Sequence, residues 1–195
     1  MSEILPIIWQ LSMGVSLAAC AGLRAFLPLF VTGLAARLDW IPLLDRFEWL
    51  GSDATLVVFG VAVLLEVVGD KFPVIDNFLD SVALFVKPIA GTILAVAVVT
   101  ELDPLLSVVL GIVLGGGVAG VVHVGKSKAR LASTVFTAGL GNPVLSVAED
   151  GVALAGVSVA LWFPVLAIVL ITLIGLVITR WTLRRGSSGP DHDAG

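Results

Sequence analysis

Pro73-Val74-Ile75, followed by Asp80-Ser81-Val82-Ala83-Leu84, is written a second time 70 positions later as Pro143-Val144-Leu145 with Asp150-Gly151-Val152-Ala153-Leu154. Both copies carry an acid inside sequence that otherwise has the apolarity of a membrane span. Both begin with a proline, which suits the first turn of a helix because no intrahelical N–H is lost there. A duplicated pair of broken, charged helices is an architecture of transporters and channels, often as an inverted repeat. The sequence is compatible with either an inverted or a parallel relation. A weaker echo sets Gly14-Val15-Ser16-Leu17-Ala18-Ala19 against Gly111-Ile112-Val113-Leu114-Gly115-Gly116, at an offset of 97. A loop and helix over 39–70 that belong to the first half alone would account for the longer offset.

Composition places this pattern in a membrane. The 195 residues are 58% hydrophobic and 13% charged, with a mean hydropathy of +1.09. Soluble domains are roughly half apolar and a quarter charged. At about 20 residues per span the chain has room for one bundle and no separate soluble domain. The expectation is an all-α polytopic membrane helix bundle of about five to seven segments, some of them broken. One transmembrane domain would cover 1–185, with repeat halves of about 4–101 and 104–184, and the polar Gly/Ser/Pro/Asp stretch 186–195 would be a disordered tail. Met1-Ser2-Glu3 has no positive charge, and the apolar run continues past Cys20 without a cleavage site, so the first helix reads as retained. Cys20 has no second cysteine to pair with and reads as a small core residue.

Punctuation along the chain sets the element boundaries. Residues 4–38 form a long kinked helix or two short segments meeting near Arg24. The polar stretch 39–53, with Trp40 and Trp49, suits an interfacial loop. A helix over 54–70 ends in Glu66 and Asp70, Pro73 starts the next, and Lys87-Pro88 is expected to break it. Asp103-Pro104 starts a helix carrying Gly111, Gly115, Gly116 and Gly120, whose small-xxx-small spacing lets another backbone approach and suits homo-oligomer contact. After the basic stretch His123–Arg130, Asn142-Pro143 restarts a helix. The last span is read as Ala160–Ile178, and Arg180, Arg184 and Arg185 behind it place the C-terminus in the cytoplasm of a multi-pass cell-membrane protein.

The intramembrane charges carry the candidate chemistry. Glu66 with Asp70, and Asp76 with Asp80, stand four apart and share helix faces. Lys87 extends the stripe of Asp76 if that helix runs straight. His123, Lys126 and Arg130 fall at i, i+3 and i+7, a basic stripe that complements the acidic one. Segments at the membrane hold Glu66, Asp70, Asp76, Asp80, Glu149 and Asp150 against Arg24, Lys71, Lys87, Lys126, Lys128 and Arg130, so the formal net charge of −4 arises in loops and tail. This balance permits simple mutual neutralisation. Against it, apolar side chains often match buried ion pairs in stability, so retained charges at membrane depth point to a wet pathway. Asp80 and Asp150, matched by the repeat, are the expected cation or proton site, with Asp76, Glu66, Asp70 and Glu149 lining its approach. Arg24, Lys87, His123 and Lys126 would balance charge or bind an anion, and Asn142 would cap a helix or help hold that anion.

Gly22-Leu23-Arg24-Ala25-Phe26-Leu27-Pro28, Glu66 with Asp70-Lys71-Phe72-Pro73 and Asp76, His123 with Lys126, and Asn142-Pro143 with Ser146, Glu149 and Asp150 together resemble a family of bacterial integral membrane proteins that carries a domain-of-unknown-function label. The resemblance covers most of residues 13–155. It implies a small polytopic membrane protein and supplies no activity.

The expected function is a small transporter or channel for a cation, or one coupled to protons, with the lipid bilayer and a small ion or solute as partners. No cofactor is expected, and the absence of basic clusters with interleaved aromatics argues against nucleic acid. A second expectation is a membrane-embedded, metal-dependent transferase acting on a lipid, since carboxylates four apart can hold Mg²⁺ against substrate phosphates. It lacks the Asn-Asp pair and the Asp-Gly-Ala-Arg context of such enzymes. A third is a structural protein whose charges pair internally.

Overall fold

A computed structural model describes residues 4–70, 73–138 and 140–186, with side chains throughout these except at 73–78, 80 and 181–186. Every regular element among the described residues is helical. In chain order they are α1 (Ile4–Leu23), α2 (Phe26–Arg37), a 3-10 turn (Asp45–Gly51), α3 (Asp53–Gly69), α4 (Pro73–Ala97), α5 (Pro104–Leu110), a π-helical segment (Gly111–Gly116), α6 (Gly117–Thr137), α7 (Asn142–Trp162) and α8 (Pro164–Gly186). Among the described residues three runs are long and apolar enough to cross a membrane: α1, the continuous Pro104–Thr137 and α7. The 3-10 turn and α3, bent at 61°, make a fourth if taken as one span, and α2, Ser81–Ala97 and Pro164–Arg180 are shorter apolar helices. The chain is therefore a multi-pass integral membrane helix bundle.

α1 is the axis of this bundle. Its second half is buried from Met13 to Gly22, apart from Val15, and α4, α6, α7 and α8 all pack on it. Small residues make this packing close. A Cβ at Gly22 would lie 2.6 Å from the Ala119 carbonyl oxygen, and one at Gly14 would lie 3.0 Å from Ala95 backbone atoms. Contacts fix the helix directions. Gln10 reaches Thr100 and Gly14 reaches Ala95, so α4 runs antiparallel to α1. Gly22 and Leu23 meet Ala119 and Lys126, so α6 runs parallel to it. Arg24 meets Ser146, and Cys20 meets Gly156, so α7 is again antiparallel.

Both copies of the duplicated pattern, on α4 and α7, therefore pass α1 in the same sense. The weaker echo, on α1 and on the α5–α6 run, likewise lies on two helices of one sense.

The chain reverses at Arg24 and Ala25. α2 runs back to the end where α1 begins, placing Trp40 against Trp162 with ring centroids 5.7 Å apart and the Leu44 N–H on the Ala97 carbonyl at 2.8 Å. This end, which also holds residues 98–103, is the loop end. α3 then descends along α2, with Arg37 on Asp53 at one end and Phe26 close to Phe59 toward the other.

Two expected boundaries are corrected. Pro88 does not break α4, which is continuous from Pro73 to Ala97. Its ring lies 3.8 Å from where a Cβ of Gly120 would stand, and its carbonyl accepts from Thr92 Oγ1 at 2.9 Å. Packing across the proline thus holds the helix through it, as membrane bundles allow. The last span does not begin at Ala160. Ala160, Leu161 and Trp162 close α7, and the break falls at Phe163 (φ −138°, ψ 59°), immediately before Pro164. A residue preceding proline is driven out of the helical region, so uniform apolarity concealed the boundary.

The glycines expected to join two copies are used inside the chain. A Cβ at Gly115 would come within 2.5 Å of the Gly91 carbonyl oxygen, and one at Gly116 within 2.8 Å of Thr92 Oγ1. Gly111 packs on Val96. The stripe of Gly111, Gly115, Gly116 and Gly120 seats the π-helical segment and the start of α6 against α4. Of the expected tail 186–195, Gly186 closes α8 and residues 187–195 lie outside the described residues, as do the side chains of Arg184 and Arg185.

Candidate functional site

The reversal between α1 and α2 buries a guanidinium. Arg24 is 1% exposed and continues α1 only through its N–H, which reaches the Cys20 carbonyl at 3.0 Å. A buried guanidinium needs acceptors for five N–H bonds, and two other helices, α3 with its C-terminal end and α7, supply the partners. Nη1 donates to an Asp70 carboxylate oxygen and to the Glu66 carbonyl at 3.3 Å. Nη2 donates to the Ser146 hydroxyl at 3.0 Å and to its carbonyl at 3.3 Å. Nε lies 2.7 Å from Asp150 Oδ1. That last pair is close in distance only, because neither Nε nor Oδ1 has an aligned hydrogen-bond partner among the described residues.

The basic stripe of α6 closes the network from the other side. Arg130 Nη2 reaches Asp70 Oδ2 at 2.8 Å and Glu149 Oε2 at 2.9 Å, and its Nε donates to Glu149 Oε1 at 3.3 Å. Lys126 Nζ lies 3.0 Å from Glu149 Oε2 and 4.0 Å from Asp70 Oδ2, and it donates to the Leu23 carbonyl at 3.2 Å. The expected i, i+3, i+7 face is thus buried as a unit, with His123, Lys126 and Arg130 all below a tenth exposed.

Arg24, Lys126 and Arg130 stand against Asp70, Glu149 and Asp150, equal in number and gathered from α1, α6, α7 and the end of α3. Removing one member strands a charge in a low-dielectric interior, whereas the complete set is mutually compensated. Asp150 is the open member: its side chain is 26% exposed, against 5% for Asp70 and 12% for Glu149. It stands twelve residues before Trp162, about 18 Å along α7 at 1.5 Å per residue, well inside a hydrocarbon layer of about 30 Å.

Glu66 has a separate task. Its two carboxylate oxygens accept from the Ala25 and Phe26 N–H groups at 2.9 and 3.2 Å, so a side chain of α3 caps α2. Lys87 and His123 form a second buried contact, Nζ to Nδ1 at 3.2 Å, one turn of α6 from Lys126. Asn142 belongs to neither group. Its Nδ2 donates to Thr134 Oγ1 at 3.0 Å, and among the described residues no side chain caps α7, so the capping role is corrected.

The structure thus joins Arg24, Asp70, Lys126, Glu149 and Asp150, puts Glu66 beside them, and sets Lys87 with His123. Asp76 and Asp80 lie on α4, and their side chains fall outside the described residues. Asp70, expected on the approach, is instead the acid shared by three cations. Ser146 was not singled out as a site residue. Its signal was the i, i+4 spacing to Asp150, which puts both on one face of α7. Among the described residues no three His, Cys, Asp or Glu side chains converge to hold a metal ion.

No curated protein and no solved structure matches the chain. The family model described as Domain of unknown function (DUF4126) matches residues 11–185, and the chain belongs to that family.

Proposed function

We propose that the protein is a small membrane carrier or channel for a cation, or one coupled to protons, and that the Arg24 network is its working site. The observation that carries this reading is Asp150. Its side chain is the most accessible acid of an otherwise buried set, and its buried Oδ1 faces Arg24 Nε in charge without a hydrogen bond. A cation or proton arriving there competes directly with Arg24, and Arg24 ties α1 to α7 and to the end of α3. Loading of Asp150 is thereby coupled to the contact between helices, which a carrier requires. Asp80, the repeat partner of Asp150, completes the proposed pair, and the common sense of α4 and α7 supports a parallel relation between the two copies. The cell membrane is the proposed location, with the C-terminus cytoplasmic because Arg180, Arg184 and Arg185 follow the last apolar run.

A structural protein with internally paired charges is the second reading, favoured by the equal count of acids and bases. Reconstituted liposomes under imposed proton, Na⁺ and K⁺ gradients separate the two. The carrier reading expects gradient-driven charge movement that Asp150→Asn or Asp80→Asn abolishes in a folded protein. Absence of movement under every gradient supports the structural reading.

A further inference from the structure

We propose that α2 is the gate over the Arg24 network and that the Glu66 carboxylate is the latch that holds it shut; this rests on the reading of the network as a transport site. α2 has 12 residues, about 18 Å at 1.5 Å per residue, too short to cross a hydrocarbon layer of about 30 Å. It descends only as far as the network. Its C-terminal end, with Arg37, borders an open cavity of about 510 Å³ at the loop end, lined also by Asp39, Glu48 and Ser52. Its N-terminal end abuts Arg24. One short helix therefore separates an aqueous mouth from the buried charges.

The hold on its inner end is specific. A helix leaves its first N–H groups without intrahelical acceptors. Glu66 takes those of Ala25 and Phe26, and Pro28 has none to offer. Because Glu66 and Asp70 lie one turn apart at the end of α3, the residue that caps α2 and its neighbour one turn on together grip Arg24, through the Glu66 carbonyl and the Asp70 carboxylate. A change in the charge state of the network therefore reaches the latch without an intermediary.

The inner face of α2 also carries a hydroxyl that this packing leaves unused. Thr32 is fully buried, and among the described residues its Oγ1 has no hydrogen-bond partner. On α1, Ser16 is equally buried and its hydroxyl also lacks a partner. Counted along the chain, Ser16 and Thr32 lie at equal distance on either side of Arg24, so the two antiparallel helices carry them at similar depth between mouth and network. Buried hydroxyls without partners are costly, and water or a hydrated ion entering beside α2 would satisfy that of Thr32.

The test is thiol labelling, which needs no transport. In a Cys20→Ser background, Thr32→Cys is exposed to a membrane-impermeant maleimide in reconstituted vesicles, with and without Glu66→Ala; Leu94→Cys, fully buried on α4, reports global unfolding. The gate predicts that Glu66→Ala speeds labelling at position 32 by about tenfold, of the order set by losing a helix N-cap, while position 94 stays protected. Equal rates at position 32 with and without Glu66 overturn the latch. Labelling at both positions would show unfolding; Glu66→Gln, which keeps one acceptor, then decides, since faster labelling confined to position 32 supports the latch and an unchanged rate overturns it. Faster labelling in a protein that moves no ions would leave the gate standing and remove the transport reading.

Discussion

Two regions bind α1 into the bundle by opposite means. On one side α4 meets the π-helical segment and α6 through glycine, with Gly91 and Gly115 so close that neither has room for a methyl group. On the other, at the inner end of α1, Arg24 draws together Asp70, Ser146 and Asp150 through polar contacts. The glycine seam has one good arrangement, because backbone meets backbone and any added volume must displace a helix. The charge network has several in reach, since Asp70 faces three cations and Glu149 two. The first region is suited to hold still and the second to change partners.

The comparison breaks most visibly at its centre. Arg24→Met should destabilise the protein by about 3–5 kcal/mol, the cost of leaving buried acids uncompensated. Combining it with Asp70→Leu should recover much of that loss. Chemical or thermal unfolding in detergent measures both, and additive losses would show that the two residues do not act as a pair. In the seam, Gly115→Val should cost about 1–3 kcal/mol or more from overpacking against Gly91, with no second-site acid able to restore it. Glu66→Gln, which weakens the cap on α2, should cost about 1 kcal/mol. Arg37→Ala removes a pair with Asp53 in which both side chains are at least half exposed. Its effect should stay within about 1 kcal/mol and shrink with added salt.

The same contrast explains what was legible in the sequence. Local chemistry announces itself: Pro73 opens α4, Asp103 accepts from the Leu105 and Leu106 N–H groups ahead of α5, and the spacing of His123, Lys126 and Arg130 puts them on one helix face. Partners across space do not. Glycine spacing shows that a backbone will approach Gly115, and nothing local says that it is α4 of the same chain instead of a second copy. Pro88 has the local features of a breaker, and what packs across it decides otherwise. Arg24 was visible as an isolated intramembrane cation, but its four partner residues lie 42 to 126 positions away. Glu66 looked like an approach residue because nothing in α3 reveals that α2 begins beside it.

The central claim is that Asp150 is a loading site and not only a counter-charge. The most direct measurement is the transient current of reconstituted protein when a proton or Na⁺ gradient is applied, comparing wild type with Asp150→Asn at matched folded amounts. The account predicts a current in the wild type that disappears in Asp150→Asn while the unfolding profile stays cooperative. A current of equal size in both proteins would contradict it and leave Asp150 as a partner of Arg24 alone.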